Sequence, residues 1–396
     1  MGRREYLISI VAVTVLMAAC RKPYNPPAIA SPGSYLVVEG VINAGADSTT
    51  IKLSRTVNLS SQITNNPVNS AVVAVQSDQN ISYPLVQTAP GTYACAGLNL
   101  NSSHQYRLSI NTGSEQYLSD YVPVLNSPPI DTVGFTINSG GINIYNNTHD
   151  PSNTVKYYRW DYQETWLYHP VYQSLYYWDV DTVLARTTLQ QQQVYDCYPS
   201  DSSSNIVLGS SAKLSQDVIV NNPITSVAST SMKLAWEYSI LVRQYALTGQ
   251  AYNFWQILEN NTENLGSIFD AQPSQVPGNI HSVNNAAEPV MGYISVGSVA
   301  TKRIFIKNSQ LPAWTIPPLF SCIDTAFSYQ AREFPSDPLV NQVDYNFAYN
   351  VNGYYPYIPI NAISMPGSPP IGYTAGSPQC TECTFVGTNV KPAFWQ

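Results

Sequence analysis

The residue with the clearest chemistry lies near the start of the sequence, where Cys20 ends a short apolar segment. Arg3 and Arg4 precede an apolar run of 11 residues, Leu7 to Met17, and two alanines separate that run from the cysteine. The run fits the core of a signal peptide and is too short to span a bilayer as a helix. Small residues before a cysteine suit the lipoprotein signal peptidase, so we expect a lipid on Cys20. The alternative is an ordinary secretory signal in which the cysteine is incidental.

Five further cysteines are candidates for disulfides, because thiols oxidise outside the cytoplasm. Four of them can pair among themselves in three ways: Cys197, Cys322, Cys380 and Cys383. Cys380 and Cys383 also have the spacing of a redox pair or of half a zinc site, but no thioredoxin-like context or second half-site accompanies them. We predict that disulfides tie the C-terminal tail to the body through Cys322 or Cys197. Cys95, in a predicted strand, is then the one cysteine without a partner in this scheme.

Groups for hydrolysis are not assembled along the chain. There is no G-x-S-x-G motif, and Asp161 and Glu164 fall on opposite faces of one predicted strand. Asp179 and Asp181 share a strand face and could bind Ca²⁺ or act chemically, although such pairs are more often a solvated face. The four histidines lack paired spacing, which favours structural roles: His104, His149, His169 and His281. We therefore predict a protein that is not an enzyme and needs no metal or other cofactor.

Aromatic residues are the remaining candidates for binding, since tyrosine and tryptophan offer rigid contact area. The segment NGYYPYIPI (352–360) follows neither strand nor helix periodicity, and prolines stiffen it. Its Tyr354, Tyr355 and Tyr357 are our predicted contacts for a ligand or partner, with the loop 263–280 as the second choice. An alternating set in 156–166 fits a buried strand face better: Tyr158, Trp160, Tyr162 and Trp166.

Composition narrows the class of partner. The chain has 18 Lys and Arg against 25 Asp and Glu, and only 11% of its residues are charged, compared with about 25% in an average globular protein. Nucleic-acid binding needs clustered basic residues, and none occur here. We exclude nucleic acid as a partner.

The elements that must position these residues are mostly strands. After a Pro-rich tether at 21–33, seven short alternating runs in 34–125 predict a sandwich of the immunoglobulin or fibronectin type. Residues 126–396 form a larger aromatic-rich β domain in this interpretation. Its one convincing helix covers 248–261, with Thr248 as N-cap and Ala251, Trp255 and Leu258 on one face.

Several segments together resemble the Bacteroidetes lipoprotein family catalogued as domain of unknown function 4249. They run in order through the chain as YLVVEGVI (35–42), TIKLSRT (50–56), YYRWDYQETW (157–166), the stretch 238–280 that contains GSIFDAQPSQVPGN, EPVMGYISV (288–296), KRIFI (302–306) and CTECTFVGTNVKPAFW (380–395). The resemblance implies an outer-membrane lipoprotein, often encoded near TonB-dependent transporters that import glycans or peptides. It assigns no catalytic residues.

From the residues and the resemblance together we expect a non-enzymatic accessory binding protein that its lipid anchors to the outer membrane. We expect a TonB-dependent transporter as its partner and a glycan or peptide as its ligand. The alternatives are a structural or adhesive surface protein and a cryptic glycan or peptide hydrolase. Arg21 and Lys22 stand where surface-exported lipoproteins of that phylum often carry acidic residues. The sequence is therefore compatible with an anchor in the periplasmic leaflet and with one in the surface-facing leaflet.

Overall fold

The alternating apolar residues form strands in the computed structural model of the protein, which is mainly β as predicted. The structure describes residues 34–57, 66–263, 278–332, 335–348 and 356–395. The strands are β1 (Leu36–Asn43), β2 (Thr49–Arg55), β3 (Val72–Ser77), β4 (Ser82–Ala89), β5 (Thr92–Cys95), β6 (Gln105–Asn111), β7 (Gln116–Ser119), β8 (Val122–Pro123), β9 (Ile130–Asn138), β10 (Gly141–Asp150), β11 (Tyr157–Trp166), β12 (Tyr176–Asp179), β13 (Thr182–Ala185), β14 (Ser200–Ser202), β15 (Val207–Ser210), β16 (Asp217–Ala228), β17 (Glu237–Leu247), β18 (Ile280–Ser282), β19 (Val296–Gly297), β20 (Val299–Lys307), β21 (Thr325–Ser328), β22 (Ile358–Ile363) and β23 (Gly372–Gly376).

Helices are few and short in the same residues. The α-helices are α1 (Thr188–Tyr195), α2 (Gly249–Thr262), α3 (Gln342–Ala348) and α4 (Pro378–Thr381), and 3₁₀ turns cover Met232–Leu234, Asn308–Gln310 and Cys383–Phe385. Helix α2 is the one predicted from the sequence. The Thr248 hydroxyl accepts a hydrogen bond from the backbone N–H of Ala251 at 3.1 Å and so caps the helix. Ala251 and Phe254 are the buried residues of this helix.

The first sheet contains more of the chain than the sequence indicated. Its strands run in the order β18-β7-β6-β3-β4-β5-β2-β1-β19, with β8 beside β6, around a core that includes Leu36, Leu53 and Leu108. The sequence-based boundary at residue 125 leaves β18 and β19 in the larger domain, whereas their hydrogen bonds join them to β7 and β1. The immunoglobulin-like topology of 34–125 stays a prediction.

A glycine lets the returning segment approach β1. The Met291 carbonyl accepts from the Val38 N–H at 2.8 Å, and the next residue, Gly292, has a φ of +137°. A Cβ on Gly292 would lie 2.2 Å from the Val38 carbonyl oxygen. Only glycine therefore fits where the two backbones pass.

The second body is built from two sheets that face each other. One has the order β16-β10-β9, and the other has the order β14-β11-β17-β20 with β15 also paired to β11. The faces of both sheets meet in a core that contains Trp160, Ile144 and Val242. Inside it the Gln244 carboxamide accepts from the Trp160 indole at 3.0 Å and donates to the Thr148 hydroxyl at 3.1 Å. These bonds satisfy polar groups that are costly to bury alone.

A smaller cluster and two disulfides complete the fold. Strands β21, β23 and β22 form a sheet, and helix α3 packs on it through Val343 and Phe347. Disulfides join Cys197 to Cys383, 186 residues apart, and Cys322 to Cys380, 58 residues apart. They tie the C-terminal segment to the second body and to the 317–324 loop.

Candidate functional site

The candidate site is built around a buried carboxylate on β11. Glu164 points to the same face as Trp160 and Tyr162 and is only 4% exposed. One of its oxygens accepts a hydrogen bond from the Tyr238 hydroxyl at 2.6 Å, and the other lies 2.5 Å from the Lys233 ammonium. Burial, reinforced by the charge of Glu164, raises the pKa of Tyr238 far above its ordinary range. Tyr238 therefore keeps its proton and acts as a donor.

Lys233 reaches this carboxylate from the turn between β16 and β17. Ser231 caps the 3₁₀ turn, and its hydroxyl accepts from the Lys233 N–H at 3.3 Å. The Lys233 ammonium lies 3.4 Å from a carboxylate oxygen of Asp201 on β14 and 5.0 Å from the centre of the Trp166 indole. One cation thus faces two carboxylates and the face of an aromatic ring. The local balance is one excess negative charge.

Lys233 and Ser231 line two neighbouring surface pockets, which we call together the cleft and separately its two halves. The first half has a volume of about 370 Å³ and is mostly apolar, and its further lining is Trp166, Tyr168, Thr230, Met232, Pro317, Pro318, Leu319 and Val386. The second half has about 250 Å³ and is mostly polar, and its further lining includes Tyr162, Glu164, Asp201, Ser202, Ser204, Thr225 and Ser226. The two halves share Ser231 and Lys233. A ligand lying across them meets an apolar surface and a charged, hydroxyl-rich surface side by side.

The apolar half rests on a disulfide. Tyr168 and the Cys197–Cys383 bridge are buried together, and Trp166, Met232 and Val386 pack against them. The Tyr168 N–H also donates to the Cys197 carbonyl at 2.9 Å. The bridge therefore holds Val386, which comes from the end of the chain, against the body.

The opposite face of β11 carries a second charged cluster. The Asp161 carboxylate lies 2.5 Å from Arg243 and 3.7 Å from Arg159. The Arg159 guanidinium is 4.4 Å from the ring centres of both Tyr245 and Trp255, so it is held between a strand and helix α2. This cluster fastens α2 to the sheet. As predicted, Asp161 and Glu164 lie on opposite faces and do not form an acid/base pair.

The predicted tyrosine contacts are only partly within the described structure. Tyr354 and Tyr355 lie outside the described residues, as do 264–277 of the alternative loop. Tyr357 is 37% exposed, but its ring centre is 5.0 Å from that of Phe327 and its N–H donates to the Asn346 carbonyl at 3.0 Å. Its side chain thus packs on the small C-terminal sheet.

The prediction that Asp179 and Asp181 share one strand face is wrong. The run 175–184 is a hairpin of β12 and β13, and both aspartates are exposed at its turn. Val180 between them has a φ of +52°, so the chain reverses there. In the described ranges no three His, Cys, Asp or Glu side chains lie close enough to hold a metal ion.

Each histidine lies beside one aspartate. The pairs are His104 with Asp78 at 3.2 Å, His149 with Asp131 at 2.7 Å, His169 with Asp196 at 2.9 Å and His281 with Asp120 at 3.3 Å. Hydrogen bonding to Asp131 raises the pKa of His149, whereas burial lowers the pKa of His169.

Cys95 is half-buried at the end of β5 with a free thiol, and burial raises the pKa of this thiol.

The aromatic face of β11 divides between core and cleft. Tyr158, Trp160 and Tyr162 are buried, in agreement with the core interpretation, although Tyr162 also lines the polar half of the cleft. Trp166 is half-buried and lines the apolar half. Lys233 was not recognised from the sequence. Its carboxylate partners are 69 and 32 residues away, so no local spacing marks it.

Comparisons with known proteins identify one family. A family model described as Domain of unknown function (DUF4249) matches residues 21–303, and no curated protein gives a significant match. Among solved structures, the adhesin InvE of Yersinia pseudotuberculosis is similar over 54% of this chain and 55% of that chain, at 16% identity and a TM-score of 0.15. The chain thus spans about half the length of that adhesin, and so low a TM-score supports no argument. None of the described helices is long and apolar enough for a membrane span.

Proposed function

Because the chain belongs to the family described as Domain of unknown function (DUF4249), whose description names no activity, we propose its function from the site: a lipid-anchored binding protein of the cell envelope. The ligand is part of a glycan or a peptide, held in the cleft around Lys233. The observation that carries this proposal is the junction of an apolar and a polar half at the ion pair between Lys233 and the buried Glu164. Binding sites combine apolar area with a few fixed polar groups in this way.

The chemistry of Glu164 favours binding over catalysis. Both oxygens of its carboxylate are already engaged, one by Tyr238 and one by Lys233. A general acid or base must instead reach the proton of a substrate, directly or through one water. In this arrangement the carboxylate fixes the position of Lys233 and leaves the substrate bonds intact.

The proposed location rests on Cys20, which lies outside the described residues, and on the resemblance to outer-membrane lipoproteins. We place the protein at the outer membrane, held by lipid on that cysteine and by the tether at 21–33. The partner in this proposal is a TonB-dependent transporter, as the resemblance of the sequence implies. Tyr354, Tyr355 and Tyr357 stay our candidates for the contact with a ligand or this partner.

The experiment that tests the function separates retention from turnover. Mature protein is incubated with panels of glycans and peptides, bound compounds are measured by equilibrium dialysis, and products are sought by mass spectrometry. We expect at least one panel to be retained without cleavage. Cleavage that Glu164→Gln or Asp201→Asn abolishes would establish a hydrolase instead, and the absence of retained compounds would refute the binding function.

A further inference from the structure

The walls of the apolar half indicate what kind of group it accepts. Lys233 lies over the half-buried Trp166 indole, which also packs against the cluster of Tyr168 and the Cys197–Cys383 bridge, and Tyr168 is only 2% exposed. Neither ring therefore offers the open, flat face on which a sugar stacks. Apart from Thr230, Ser231 and Lys233, the other lining residues are apolar: Met232, Pro317, Pro318, Leu319 and Val386. Such a surface fits an apolar side chain better than a hydroxylated ring.

The charge of the polar half indicates the neighbouring group. The Glu164 side chain is 6% exposed and its oxygens are engaged, whereas Asp201 is 61% exposed and lies 3.4 Å from the shared ammonium. The Asp201 carboxylate can therefore still accept hydrogen bonds from a ligand on its solvent side. Because Lys233 neutralises only one of the two carboxylates, a cation is favoured there and an anion is repelled.

The two halves are close enough for neighbouring residues of one chain. They share Ser231 and Lys233, and two residues of an extended peptide span about 7 Å. We propose that the cleft binds an extended peptide segment in which an apolar side chain lies within two residues of a lysine or arginine. This inference rests on the proposed function and names its ligand class.

Selection from a random hexapeptide display library tests the inference on the mature protein. We expect enrichment of peptides that carry an apolar residue within two positions of a lysine or arginine. In Asp201→Lys the basic preference should fall by about tenfold or invert, because like charges would then meet, while the apolar preference remains. Asp47→Lys makes the same charge change at an exposed position in the loop between β1 and β2 and should leave both preferences unchanged.

The possible outcomes distinguish a failure of this inference from a failure of the proposed binding function. Enrichment of acidic peptides, or enrichment that Asp201→Lys leaves intact, would overturn the inference. If a glycan array is bound instead, and Leu319→Asp abolishes that binding, the cleft is a binding site but not for peptides. If neither probe binds, the inference and the proposed function both fail.

Discussion

Lys233 and Glu164 are 69 residues apart in the chain, yet the ammonium of one lies 2.5 Å from the carboxylate of the other. The pair joins the turn after β16 to the middle of the sheet that contains β11. Glu164 is buried, and a buried carboxylate without a cation is costly. The same contact that shapes the cleft therefore also stabilises the second body.

Replacement of Lys233 should lower stability. We expect Lys233→Met to reduce the free energy of unfolding by about 2–4 kcal/mol, because it leaves the buried Glu164 carboxylate with only the Tyr238 hydroxyl. Urea unfolding measures the change, and Lys233→Met with Glu164→Gln should recover part of it. Lys213→Met removes an exposed lysine and should stay within about 0.5 kcal/mol of the wild type. Equal effects of the two lysine variants would show that the ion pair is not important.

The disulfides should contribute unequally. Removing the Cys197–Cys383 bridge as a double alanine variant should cost about 1 kcal/mol more than removing Cys322–Cys380, because it releases a longer loop. It should also weaken ligand binding, since the bridge holds Val386 in the cleft wall. Non-reducing peptide mapping and urea unfolding test these points. Free thiols at all four positions in the secreted protein would contradict the pairing.

Acid should destabilise the protein through His169. Its ring lies between Tyr195 and Trp236, with ring centres 4.3 and 4.4 Å away, and burial lowers its pKa. The Asp196 carboxylate is 2.9 Å from Nε2 but is not aligned for a hydrogen bond, so it offsets this only partly. Below pH 6.5 the unfolded chain then binds the proton more readily, and stability falls as the pH drops.

His169→Phe isolates this contribution. The variant keeps an aromatic ring in the stack and cannot be protonated, so its urea midpoint should fall less between pH 7 and pH 5 than that of the wild type. His281→Phe is the matched control, because that side chain is 62% exposed and solvent screens its charge. A wild-type pH dependence in His169→Phe would contradict the argument.

These examples show where sequence reasoning succeeds and where it stops. Strands such as β2 and β6 were predicted because apolar and polar residues alternate along them, and this pattern can be read from adjacent residues. Helix α2 was predicted from its cap and its apolar face. The cleft was not, because Trp166, Lys233 and Leu319 come from three distant segments. The hairpin at Asp179 was missed because the turn at Val180 contains neither glycine nor proline.

Membrane attachment should depend on one thiol. Cys20→Ser removes the site of the lipid, and without acyl chains the proline-rich tether has no affinity for a bilayer. We expect this variant in the soluble fraction, whereas Cys95→Ser stays with the membranes. If Cys20→Ser remains in the membrane pellet after a high-salt wash, the lipid anchor is wrong.

The affinity of a selected ligand for Leu319→Asp and Leu339→Asp tests the central claim most directly. Both leucines are 51% exposed, but only Leu319 lines the cleft. The account predicts at least a tenfold loss of affinity in Leu319→Asp, because a charge enters the apolar half, and wild-type affinity in Leu339→Asp. Equal affinities for the two variants, both folded by circular dichroism, would contradict the assignment of the binding site to this cleft.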